Sequence, residues 1–296
     1  MISALVTEKD GTGGRSRYGL GATGRSRLLM GAYASRVVGR VPEALRIFTE
    51  LRDVELRTAM ESELGVYIAE GEKVIRRAAD AGHRPHSFLL APRWVDSLAD
   101  IVDRFDVPCH VLEEDEIERV TGFHVHRGAL AAFERPAPTS VADLLSSAER
   151  IVVAEDLVDH MNVGSVFRAA AALGFDGIVL SPRCADPFYR RSIKVAMGAV
   201  FSLPHARLDD WYAAPTLLRE AGFTTYAMTL AGEMVPLDSV VPAERSALIV
   251  GSEGPGLTAH WQREADVRVT IPMAAGIDSL NVAASVAIAC WHFRPR

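Results

Sequence analysis

Residues 151–174 read Ile-Val-Val-Ala-Glu-Asp-Leu-Val-Asp-His-Met-Asn-Val-Gly-Ser-Val-Phe-Arg-Ala-Ala-Ala-Ala-Leu-Gly. The first four residues are a short apolar run, as expected of a strand covered on both faces. After a polar turn, Val163, Val166, Phe167, Ala170 and Leu173 share one face of a helix, and Gly174 stands where that helix stops. Strand, loop and helix in that order are half of a parallel α/β unit.

Downstream, strands are expected at 177–180, 200–203, 224–228, 247–250 and 267–271, most with a helical segment between them. Six such runs predict a mostly parallel sheet covered on both faces. The ligand of such a sheet sits beyond the carboxyl ends of its strands. Upstream, strands expected at 66–68, 87–90, 109–112 and 129–133 alternate with helices, which predicts a smaller amino-terminal α/β domain over 43–136. Pro136, Pro138, Thr139 and Ser140 open an expected linker, 137–147, before the larger domain at 148–296.

With 49% hydrophobic residues the chain can bury a large core. No apolar run reaches the roughly 18 residues that span a bilayer. Together with three scattered cysteines, that favours a cytoplasmic location. The net charge of −6 opposes indiscriminate coating of nucleic acid. The charge is uneven, however: residues 1–48 carry eight Lys/Arg against three acidic residues. Residues 1–42 are Gly-, Ser- and Arg-rich and are expected to be a flexible basic extension, either an RNA-attracting arm or an inert tail.

Three loops carry polar residues at the expected ligand end. In the first, Asn162 reads on spacing as a helix cap. Arg168 is a guanidinium on a mostly apolar helix, suited to an ion pair or to catalysis. The second, Gly251-Ser-Glu-Gly-Pro-Gly-Leu, allows close backbone approach to a ligand and carries one charge, Glu253. The third leads from 271 into a helix apolar nearly all round. Ser279 is placed to cap that helix, and Asn281 is an amide that needs partners.

Asn-x-Gly-x-x-x-Arg, Gly-Ser-Glu-Gly-Pro-Gly-Leu and Ile-Pro-Met followed by Ser-Leu-Asn-Val-Ala resemble, in order and spacing, the three motifs of the SpoU/TrmH family of RNA ribose methyltransferases. The likeness runs from Ile151 to His292, and residues 45–135 resemble the small substrate-binding domain that many members carry. The resemblance implies a carboxyl-terminal trefoil knot of the SPOUT type, S-adenosylmethionine as cofactor, a homodimer, and methyl transfer to a ribose 2′-hydroxyl of RNA, ribosomal rather than transfer RNA. It implies a catalytic set of Asn162, Arg168, Glu253, Ser279 and Asn281, with cofactor held around Thr229, Gly251, Ile271, Met273 and Leu280. RNA contacts would come from His126, Arg127, Arg183, Arg190, Arg191 and Lys194.

Family proposals make the motif arginine a base, but a guanidinium with a pKa above about 12 is a poor one. Arg168 is better suited to stabilising the alkoxide and its neighbouring phosphate. His124 and His126 lack a third ligand, so no metal is expected. The dimer is expected to use the helix at 281–290, with Trp291 and Phe293 as anchors. A base methyltransferase of the same superfamily and a non-catalytic RNA-binding or ribosome-assembly protein are the alternatives. A dinucleotide oxidoreductase fits poorly, because no strand is followed by Gly-x-Gly-x-x-Gly opening a helix.

Overall fold

The computed structural model describes residues 28–30, 41–49, 51, 61, 63–122, 128–274 and 279–295. The larger sheet contains β6 (Arg150–Ala154), β7 (Gly177–Leu180), β8 (His205–Arg207), β9 (Thr224–Met228), β10 (Val235–Pro236), β11 (Ser246–Val250) and β12 (Val267–Thr270). Their order is β10-β12-β9-β11-β6-β7-β8, and every pairing is parallel. Alternation along the strands separates two cores. Val152, Ala154, Ile178, Leu180, Leu248 and Val250 face one, while Ile151, Val153, Val179, Ala247 and Ile249 face the other.

In the smaller sheet, β1 (Leu28–Met30), β2 (Val66–Glu70), β3 (Pro85–Leu90), β4 (Cys109–Val111) and β5 (Ala129–Glu134) lie in the order β1-β4-β3-β5-β2. The helices are α1 (Glu72–Asp80), α2 (Pro92–Arg104), α3 (Glu114–Thr121), α4 (Val141–Ser147), α5 (His160–Ala172), α6 (Arg190–Ala196), α7 (Ala214–Glu220), α8 (Ala259–Glu264) and α9 (Val282–Phe293). Among the described residues no helix is long and apolar enough to cross a membrane.

Several expectations need correcting. Residues 28–30 pair with β4 rather than belonging to a structureless extension; the rest of 1–40 lies outside the described residues. The expected linker contains α4, capped by the Ser140 hydroxyl, which accepts from the Asp143 amide at 3.0 Å. Leu144 and Leu145 of α4 are buried in the second core. The strand expected at 200–203 is a 3₁₀ turn, Ala199–Phe201. Left-handed Met197 and Gly198 break the chain before it, and β8 begins only after Pro204. A short buried apolar run fits either geometry, so period alone could not decide.

The two layers share one core. Tyr67 of β2 stacks on Phe133 and Phe201, with ring centroids 5.6 and 5.5 Å apart, and meets Phe188 at 5.0 Å. Around this apolar contact, Glu70 binds Arg190 at 2.8 Å and Lys194 at 2.9 Å, and Arg135 binds Asp186 at 2.6 Å. Burial alone would raise the Glu70 pKa, but the bonds from Lys194 and Arg190 outweigh it and hold the carboxyl below its usual range.

Candidate active site

A cavity of about 440 Å³ opens beyond the carboxyl ends of β9, β11 and β12. Thr229, Gly251, Ile271, Met273 and Leu280, the five positions expected to hold cofactor, all line it, as do Glu253, Ser279 and Asn281. Its wall depends on Gly251. A Cβ there would lie 2.4 Å from the Gly256 carbonyl carbon and 2.5 Å from its oxygen, so only glycine lets the loop fold back on itself.

Glu253 gathers two of the three loops' amides. Asn162 Nδ2 donates to one carboxylate oxygen at 3.1 Å, and Asn281 Nδ2 donates to the other at 3.0 Å. Neither amide orientation is left free. Asn281 Oδ1 accepts from the Ala283 amide at 2.9 Å, so Asn281 caps α9, the role that spacing gave to Ser279. Nor does Asn162 cap α5: Asp159 does, accepting from the backbone of Met161 and Asn162. Among the described residues Asn162 Oδ1 then has no hydrogen-bond partner and remains an open acceptor; Asn162 itself does not line the cavity but reaches it through Glu253.

Arg168 is exposed on α5 and, among the described residues, makes no ion pair. Six residues separate it from Asn162, which is roughly 9 Å of rise and about 240° of rotation, so the two side chains leave the helix on different sides. Ser279 is exposed and borders the cavity. The motif glycine, Gly164, has a packing role: a Cβ would meet the Ser192 carbonyl oxygen at 2.5 Å, so α5 and α6 approach as only glycine allows.

The basic positions divide. Arg190 is 9% exposed and bound to Glu70 and to the Leu51 carbonyl at 3.1 Å, so in this structure its guanidinium is engaged between the two layers. Lys194 shares Glu70 with it. Arg183 pairs with Asp156 but keeps an exposed side chain, and Arg191 is exposed. His126 and Arg127 lie outside the described residues.

Two acidic residues went unnoticed in the sequence. Buried Glu155 accepts from Trp211 Nε1 at 2.8 Å, Thr258 N at 2.7 Å and Thr258 Oγ1 at 3.0 Å, fixing the end of β6 to the start of α8. Asp156 adopts a left-handed φ of 54° and accepts from the Ser181 hydroxyl at 2.8 Å. The only sequence signal for either was an acidic pair directly after an apolar strand. His160, at the start of α5, lies with its ring centroid 4.3 Å from that of Tyr189, and burial lowers its pKa.

Residues 149–291 match the model of the SpoU rRNA Methylase family. A Mycobacterium bovis protein named "uncharacterized tRNA/rRNA methyltransferase" is 40% identical over 248 residues, 83% of this chain and 86% of its own length. RlmP of Bacillus subtilis, named a 23S rRNA (guanosine(2553)-2′-O)-methyltransferase, is 29% identical over 188 residues, 64% of this chain and 73% of its own. The crystal structure of an AdoMet-bound rRNA methyltransferase from Sinorhizobium meliloti superposes with a TM-score of 0.72 at 27% identity, covering 84% of this chain and 93% of that one. With two of the three loops lining one cavity, the first tied to it through the Asn162–Glu253 bond, and relatives matching across both layers, the chain belongs to the SpoU family of RNA methyltransferases.

Proposed function

We propose that the protein transfers a methyl group from S-adenosylmethionine to a ribose 2′-hydroxyl of RNA, ribosomal rather than transfer RNA. The observation that carries this reading is the Glu253 clamp, in which a carboxylate lining the cavity walled by Gly251 holds the Asn162 and Asn281 amides. The cavity fits the cofactor: it has apolar sides at Ile271, Met273 and Leu280 and a backbone wall with no room for a Cβ. The cofactor supplies an electrophilic methyl on a sulfonium.

The chain's residues supply position and charge. Glu253 fixes the Asn162 amide so that Oδ1 faces outward, where it accepts a hydrogen bond from the acceptor hydroxyl and orients it. As the new oxygen–methyl bond forms and the methyl–sulfur bond breaks, the Arg168 guanidinium stabilises the negative charge developing on the oxygen and on its adjacent phosphate; it is not the base, and the hydroxyl proton passes to solvent water. In-line positioning of this kind supplies on the order of 7–11 kcal/mol in favourable cases.

The ribosomal preference draws support from the name of the B. subtilis relative. A homodimer belongs to the same reading, supported by exposed Ala284, Ile288 and Trp291 along one stripe of α9. Phe293 is 1% exposed and packs on Tyr226, so it is not one of the anchors. A carboxyl-terminal trefoil knot is also part of it. Its support is the strand order, in which β11 lies on one side of β9 and β12 on the other.

The test is to methylate ribosomal RNA with the purified protein, digest it to nucleosides and locate the methyl by mass spectrometry. A 2′-O-methylnucleoside is expected. A base-methylated nucleoside would transfer the assignment to the base-modifying alternative.

A further inference from the structure

Gln262 stands in the first turn of α8 and lines the cavity from that side. Its Nε2 donates to the Leu257 carbonyl at 2.8 Å, which uses the donor half of the amide and fixes the side chain against the glycine-rich loop. Among the described residues its Oε1 has no hydrogen-bond partner. A half-buried amide carbonyl left open beside a cavity is an acceptor held for an N–H donor.

The two ends of the cavity are distinguishable. Asn162 belongs to α5, which packs on the first core through Val163 and Val166. Gln262 belongs to α8, whose Trp261 packs with Leu257 in the second core, on the opposite face of the sheet. The Glu253 clamp, with Asn162 and Asn281, therefore marks the reacting end, and Gln262 marks the other. The rest of the cavity lining is largely apolar, with Met228, Val269 and Ile271 on the first-core side.

We infer that Gln262 is a cofactor-specificity residue whose Oε1 accepts from an N–H donor on the part of S-adenosylmethionine remote from the methyl group. This rests on the reading that the cavity holds that cofactor. Two groups of the molecule carry such a donor, the exocyclic amine of the purine and the methionyl ammonium, and the experiment separates them.

The probes are S-adenosylhomocysteine, its hypoxanthine analogue, which lacks the exocyclic amine, and 5′-methylthioadenosine, which lacks the ammonium. Each is titrated calorimetrically into the full-length wild-type protein, Gln262→Leu and Gln262→Glu. Gln262→Leu is expected to bind S-adenosylhomocysteine about tenfold more weakly while binding one analogue as the wild type does; that analogue identifies the donor. Gln262→Glu keeps an acceptor but gives up the Leu257 bond, and it is expected to stay within a few-fold of wild type. Equal loss by Gln262→Leu for all three probes, or equal loss in Gln262→Glu, would reduce Gln262 to a support of its loop and overturn the inference. Unchanged affinity in Gln262→Leu would overturn it as well. A wild-type protein that binds none of the three would instead sink the cofactor reading beneath it.

Discussion

The Arg190 guanidinium lies 2.8 Å from the Glu70 carboxylate, joining a helix of the larger layer to a strand of the smaller one 120 residues earlier. Both side chains are at most 10% exposed. Removing one partner leaves the other charge buried, which typically costs about 3–5 kcal/mol. Glu70→Gln should therefore lower stability by about 3 kcal/mol in urea unfolding, and Lys194→Ala, whose ammonium is half exposed, by about 1 kcal/mol or less. Equal, small losses for both would show that the pair is screened by water.

Arg168→Ala should leave the melting temperature unchanged, since the side chain is exposed and touches no partner among the described residues. Methyl transfer should fall at least a hundredfold, while affinity for S-adenosylhomocysteine stays within a few-fold. A substrate with 2′-deoxyribose at the target nucleotide should bind through its phosphates and accept no methyl. Transfer to that substrate would overturn the ribose assignment.

Gly251→Ala places a methyl group inside the van der Waals radius of the Gly256 backbone. The loop must open, so binding of S-adenosylhomocysteine should weaken more than tenfold by calorimetry. Gly254→Ala is a useful contrast. Its Cβ meets nothing within 4 Å, so its cost is the left-handed φ of 90° alone, about 1 kcal/mol of stability.

Trp291 is 58% exposed and continues the stripe of Ala284 and Ile288 on α9. Trp291→Asp should convert a dimer to a monomer at micromolar concentration in light scattering without altering the fold. A wild-type protein that is already monomeric would contradict the dimer.

Acid should loosen the contact between the layers. Burial holds His83 below its ordinary pKa, outweighing a hydrogen bond to the Phe201 backbone, and its Nδ1 lies 2.8 Å from the Tyr67 hydroxyl. Because the folded value is the lower one, the unfolded chain binds the proton first. The stability this neutral imidazole contributes is full above about pH 6.5 and is lost as the pH falls through the folded value. The melting temperature should drop between pH 7.5 and pH 5.5, and by less in His83→Asn.

The larger sheet was legible where strands are buried on both faces, because runs such as 151–154 and 247–250 have few other places to lie. Legibility failed where the same chemistry serves two geometries. The apolar 200–203 became a turn, and the polar Ser140 began a helix where a linker was expected. In the site, spacing and resemblance singled out Asn162, Glu253 and Asn281, whose side chains the fold joins, but could not distribute the caps. Asp159 took one role and Asn281 another, since capping depends on which oxygen reaches which amide and not on residue type. The basic helix misled for a related reason. Arg190 reads as an exposed phosphate ligand until Glu70 is seen opposite it, and a partner 120 residues away leaves no local trace.

The strand at Leu28–Met30 covers the outer side of β4, which would otherwise be the edge of its sheet. Cutting the chain after residue 40 would strip that cover and bare a row of backbone donors and acceptors ready to pair with another molecule. A truncation meant to isolate the contribution of the basic amino terminus should therefore end before residue 28, or it will report self-association where RNA affinity was sought.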